Sequence, residues 1–179
     1  MNRIGPPGSG DYAAFYETYV GKAKTNDLLS GLESAWDSLR AMIAPLDLAM
    51  HAYRYAPEKW NLREILIHLM DAERVFAYRA LCLARRETQS LPGFDENLYA
   101  LHMNADSRDM TDILEKYELI RRSTIHLFRH LDEDSLDYQG TVNQHPCTAR
   151  ALGYIILGHQ LHHQQVFEAR YLGRERGDG

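Results

Sequence analysis

Apolar side chains recur at steps of three and four through four long stretches of the chain, the period of a helix with one buried face. Between about 26 and 44 they fall at Leu28, Leu32, Ala35, Leu39, Met42 and Ile43, and Pro45 closes the run. A second helix is predicted over about 61–86, because Asn61 and Glu64 have capping-box spacing and Pro57 lies just upstream. A third, over about 109–132, begins at Asp109 and gathers Met110, Ile113, Leu114, Tyr117, Ile120, Leu127, Phe128 and Leu131. The fourth follows Thr148 as N-cap and runs to about Leu172, with Gly173 where helices commonly stop. A shorter helical stretch opens at Asp11 and carries Phe15, Tyr19 and Val20, whereas Gly5-Pro6-Pro7-Gly8-Ser9-Gly10 reads as a mobile arm unable to pack a core. No run alternates as a strand does.

The expected organisation is a flexible arm over 1–10, one all-α four-helix-bundle domain over 11–172 and a flexible tail over 173–179. The links at about 45–60, 87–108 and 133–147 exceed the roughly two to eight residues of tight bundle turns and permit crossovers between non-adjacent helices. Composition fits a single core: 179 residues, 45% hydrophobic and 25% charged. The 20 basic and 25 acidic residues form no block, which argues against a nucleic-acid or anionic-membrane partner. No stretch approaches the ~20 apolar residues of a membrane span, and the first ten residues lack a signal peptide's apolar run. Cys82 and Cys147 stand in neither metal-type nor redox-type spacing, so free thiols and a cytoplasmic location are expected.

The fourth helix places polar rings where apolar ones belong. On a 100°-per-residue wheel, His159 and His163 share a stripe with Leu152, Ile155, Ile156, Val166 and Phe167. Four residues apart, their rings stack and can present nitrogens to one ion. One ring bonded to a carboxylate or backbone carbonyl, with the other open to solvent, explains the spacing about as well. His126 and His130 repeat that spacing on the third helix, but off its apolar stripe and beside Arg121, Arg122 and Arg129, so they are assigned to a solvated face. A third ligand must come from another helix, and His68 is the best candidate, lying mid-helix on a seam with Glu64, Val75 and Arg79. Asp71, one turn on, is placed to serve as a fourth ligand or to orient an imidazole. Glu73 falls among Leu62, Leu66, Leu69, Phe76 and Ala80, where pairing with a buried arginine is the favoured role.

The segments Trp60-Asn61-Leu62-Arg63-Glu64-Ile65-Leu66-Ile67-His68-Leu69, Leu91-Pro92-Gly93-Phe94-Asp95 and Gly158-His159-Gln160-Leu161-His162-His163 occur in an order and separation that resembles the DinB-like or YfiT-like metalloproteins over about 20–172. The resemblance implies an up-down-down-up four-helix bundle, commonly dimeric, with one divalent ion, zinc or nickel, on His68, His159 and His163. It also implies a reaction class, since characterised relatives include bacillithiol-dependent S-transferases, a mycothiol-dependent isomerase and the metal-site domain of iron-dependent sulfoxide synthases. The last branch carries a further catalytic domain and is not expected here.

Three neutral imidazoles leave a divalent ion with open positions, as catalytic sites do. A coordinated thiol would be ionised there, making transfer of a low-molecular-weight thiol to a small electrophilic substrate the expected reaction. A metal-dependent hydrolase and a non-catalytic metal-binding or stress-response module remain alternatives. Asp71, Glu73 and Arg79 are the catalytic candidates, the two acids as bases and Arg79 as an anchor for an anionic substrate, although an ion pair with a nearby acid is the commoner explanation of Arg79. A homodimer is expected from apolar residues off the core stripes: Tyr154, Leu157, Leu161, Ile67 and Tyr78.

Overall fold

The computed structural model describes residues 3–173, so the tail expected beyond Gly173 lies outside the described residues. A 3-10 turn at Ala14–Tyr16 leads into α1 (Glu17–Val20), which is followed by α2 (Leu28–Ile43), α3 (Leu48–Ala52), α4 (Leu62–Ala84) and α5 (Glu96–Leu101). After these come α6 (Met110–Arg129), α7 (Glu133–Asp137), the hairpin β1 (Gly140–Val142) and β2 (His145–Cys147), and α8 (Ala149–Arg170). The four long helices form an up-down-down-up bundle in which α4 packs against α6 and α8, and α2 packs against the same two. Running α4 and α6 side by side in one direction requires a link that returns about the length of a helix, roughly 30 Å for 20 residues. The long segment containing α5 provides it.

Local chemistry sets the helix starts. The Asn61 side chain accepts from the Glu64 amide at 3.0 Å while Glu64 accepts from the Asn61 amide at 2.7 Å, closing the capping box. Asp109 accepts from the Thr111 amide at 2.7 Å, and Thr148 from the Ala151 amide at 3.1 Å.

Three expectations are corrected. The hairpin contradicts the absence of strands: Asn143 and Gln144 both adopt positive φ (49° and 65°), the backbone that a two-residue turn between twisted strands requires. Each strand is only three residues long, too short for a period to register. The segment expected to be a mobile arm does contribute to the core through Ile4, which is 3% exposed and whose carbonyl accepts from the Leu28 amide at 2.9 Å and from the Tyr154 hydroxyl at 3.0 Å. That docking, with α1 laid along α8, covers the second apolar face of α8. Tyr154 and Leu157 are therefore buried within the chain, as is Ile67, leaving Tyr78 exposed and Leu161 partly so; the argument for a dimer from these side chains falls away.

A polar layer crosses the middle of the bundle. Glu73 and Arg121, 2% and 1% exposed, face each other at 2.7 Å, and Arg121 Nη1 donates to the Leu32 carbonyl at 2.9 Å. Arg121 thus belongs to the interior, where Glu73 on α4 neutralises it, and is the buried arginine expected to pair with Glu73. His126 and His130 are exposed as expected. Gln160 on α8 donates to the Ala35 carbonyl at 2.7 Å.

Candidate metal centre

α8 is buried on every side from Ala149 to Gln160, so a polar residue in its second half must find a partner inside the bundle. His159 and His163, one turn apart, face α4, and His68 on α4 faces them. The His159 Nε2 atom lies 3.1 Å from His68 Nε2 and 3.1 Å from His163 Nε2. The ligand atoms of all three lie within 4.8 Å of one another. At Zn–N bonds of about 2.0–2.1 Å, tetrahedral nitrogens stand roughly 3.3 Å apart, so both short separations fit a shared ion. An imidazole hydrogen bond alone fits less well: in the neutral form Nε2 either donates or accepts, and His159 Nε2 meets two other ring nitrogens at once.

Burial keeps the rings neutral, the form that binds a metal. It pushes His68 down to about 4, against a small opposing pull from Glu96. It pushes His163 down to about 3, with His68 and His162 adding to the effect. His159 is held well below the ordinary imidazole range by burial and then by its three histidine neighbours. Aromatic rings fix the orientation: Trp60 stands 4.8 Å from His68, and Tyr19 stands 5.0 Å from His159. Tyr19 comes so close because residue 158 is glycine. A Cβ there would sit 1.9 Å from the Tyr19 carbonyl oxygen, so any side chain would displace the segment that carries the ring.

The three histidines open onto a cavity of about 430 Å³. Its walls are largely aromatic, from Tyr16 and Tyr19 on the amino-terminal segment, Phe76 on α4 and Phe94 on the loop after α4. That loop is fastened to the hairpin by Leu91, whose amide donates to the Thr141 carbonyl at 2.9 Å and whose carbonyl accepts from the Asn143 amide at 2.8 Å.

The chain matches the family model of the DinB superfamily over residues 31–167. It belongs to the DinB superfamily. Among solved structures it is similar to YfiT from Bacillus subtilis, described as a probable metal-dependent hydrolase with an unusual four-helix bundle topology. The identity is 16% and the TM-score 0.65, over 83% of this chain and 87% of YfiT, a likeness of fold. No curated protein matches the sequence.

Of the residues singled out in this DinB-superfamily chain, His68, His159 and His163 converge and Arg79 lines their cavity. Asp71 and Glu73 do not join them. Asp71 pairs with Arg74 at 3.4 Å and lines a separate depression with Leu98 and His102, while Glu73 is engaged with Arg121. The carboxylate that does line the cavity is Glu96, on α5. Sequence reasoning missed it, and missed Tyr16 as a wall, because a residue's place beside a site on distant helices depends on how its loop is fastened.

Proposed function

We propose that the protein is a metal-dependent enzyme in which His68, His159 and His163 hold one divalent ion, zinc or nickel, and a small thiol is transferred to an electrophilic substrate. The observation carrying this reading is the convergence of three buried imidazoles at the wall of a cavity, with no fourth side chain joining their ligand cluster among the described residues. A three-ligand set leaves the ion open toward the cavity, the arrangement of catalytic sites. Bound there, the ion would favour the thiolate over the thiol near neutral pH, supplying the nucleophile. The chain's own groups position and shield: Trp60 and Tyr19 hold the imidazoles, and Tyr16, Phe76 and Phe94 keep water from the reacting atoms.

Hydrolysis is the second reading, favoured by Glu96 at the cavity, where a carboxylate can take a proton from water. Thiol transfer ranks first because Asp71 and Glu73, the two acids expected to serve as bases, are both turned to other partners. Metal analysis of protein purified without supplementation, followed by assays with thiol plus an epoxide, an enone or an aryl halide, tests both. One ion per chain and thiol-dependent consumption of an electrophile, abolished by chelation and restored by zinc or nickel, are the outcomes expected. His159→Ala should lower the metal content well below one per chain; full occupancy in that variant would overturn the ligand set. Ester or amide hydrolysis without thiol would move the assignment to the second reading.

A further inference from the structure

Three arginines are buried among the described residues, and two of them have carboxylate partners. Arg121 meets Glu73 at 2.7 Å, and Arg150 meets Asp137 at 2.6 Å and also Glu133. Arg79, 3% exposed, has none. Its Nη2 donates to the Pro92 carbonyl at 2.6 Å, and its Cζ lies 5.6 Å from the Phe76 ring and 5.6 Å from the Phe94 ring. Its electrostatic neighbours are the phenol of Tyr16, which is also within hydrogen-bonding reach of it, the phenol of Tyr99 and the thiol of Cys147. Burial raises the Tyr16 phenol and pushes Cys147 up to about 12, so both are neutral near neutral pH. A guanidinium has five donors, and a buried cation without a counter-charge is costly to maintain. Among the described residues, no ion pair of the kind that ordinarily explains such a residue is present.

Arg79 is also placed to meet what the histidines hold. It follows His68 by eleven residues on α4, about three turns, and so lies on the same face of the helix. Phe76 stands between them, its ring 6.2 Å from His159 and 5.6 Å from the Arg79 Cζ, which puts the guanidinium within about 12 Å of the His159 ring. All of these groups line one cavity.

We infer that Arg79 is a specificity-determining residue that binds a carboxylate of the substrate, at the end of the cavity away from the three histidines, with the flat apolar body of that substrate packed on Phe76 and Phe94. The substrate class is therefore a small carboxylate with an aromatic or otherwise planar apolar middle. The inference deepens the proposed function and rests on it for where the reaction occurs. The carboxylate belongs to either the thiol or its acceptor, since both must enter this cavity.

Metal-free protein removes competition from an ion for the same carboxylate, so binding of 3-phenylpropionate against 3-phenylpropionamide, by calorimetry, isolates Arg79. A charge-assisted, bidentate contact predicts tenfold to hundredfold tighter binding of the acid. The preference should vanish in Arg79→Gln, which removes the charge, and persist in weakened form in Arg79→Lys. Equal binding of acid and amide to the unaltered protein overturns the inference, as does a preference that survives in Arg79→Gln. Should the glutamine variant fail to fold, the acid–amide comparison on the unaltered protein decides alone. Zinc-loaded protein then identifies the source. Tighter binding of 4-(mercaptomethyl)benzoate than of benzyl mercaptan assigns the anion to the thiol; an unchanged preference for 3-phenylpropionate with benzyl mercaptan bound assigns it to the acceptor. Loss of metal binding would remove the proposed function while leaving the carboxylate preference of the metal-free protein standing.

Discussion

Replacing Glu73 by alanine should cost much of the protein's stability and leave its metal content unchanged. The carboxylate and the Arg121 guanidinium are 2% and 1% exposed, with Nη2 to Oε2 at 2.7 Å and Nε to Oε1 at 3.0 Å. Removing one partner of such a pair leaves a buried charge whose remaining contacts, the Leu32 carbonyl and the Tyr117 hydroxyl at 3.4 Å, cannot neutralise it. The loss expected is about 3–5 kcal/mol. For a chain of this size it should lower the melting temperature by roughly 10 °C, taking about 2–4 °C per kcal/mol. Urea denaturation gives the free energy, and metal analysis of the same sample gives the occupancy. The double variant Glu73→Leu with Arg121→Met should recover most of the loss, because it removes both charges and retains the volume. A change below about 1 kcal/mol in Glu73→Ala would refute the pairing, and loss of metal at unchanged stability would return Glu73 to the site.

Acid should destabilise the metal-free protein through the same histidines. His68 is lowered from 6.5 to about 4 by burial, so the unfolded chain takes up a proton that the folded one refuses. Its contribution is complete above about pH 6.5 and is lost as the pH falls to about 4, amounting to about 3 kcal/mol over that window; denaturation midpoints flat between pH 7 and 4.5 would contradict it. Gly158→Ala should detach the segment carrying Tyr19, since the new Cβ would lie 1.9 Å from a backbone oxygen. Faster proteolysis or amide exchange around Tyr19, with the melting temperature lowered, is the readout, and protection equal to that of the unaltered chain would count against the packing.

The four long helices and the starts of three of them were legible in the chain, because capping and a three-to-four period are local: Asn61 with Glu64, Asp109 and Thr148 act on amides two or three residues away. The histidine pair on α8 was legible for the same reason, as one turn of helix brings His159 and His163 together whatever surrounds them. The location of His68 opposite them, with its Nε2 3.1 Å from that of His159, follows from how α4 packs on α8. Tertiary packing also decided which charges are neutralised: Glu73 finds Arg121 forty-eight residues away, Asp71 turns to Arg74, and Arg79 finds no acid among the described residues. The second apolar face of α8 reads on a helical wheel as a surface awaiting a partner, and Ile4 and α1 supply that partner from within the chain. A helical wheel records the direction in which a side chain leaves its own axis, whereas burial and charge pairing depend on which distant segment fills the space in that direction.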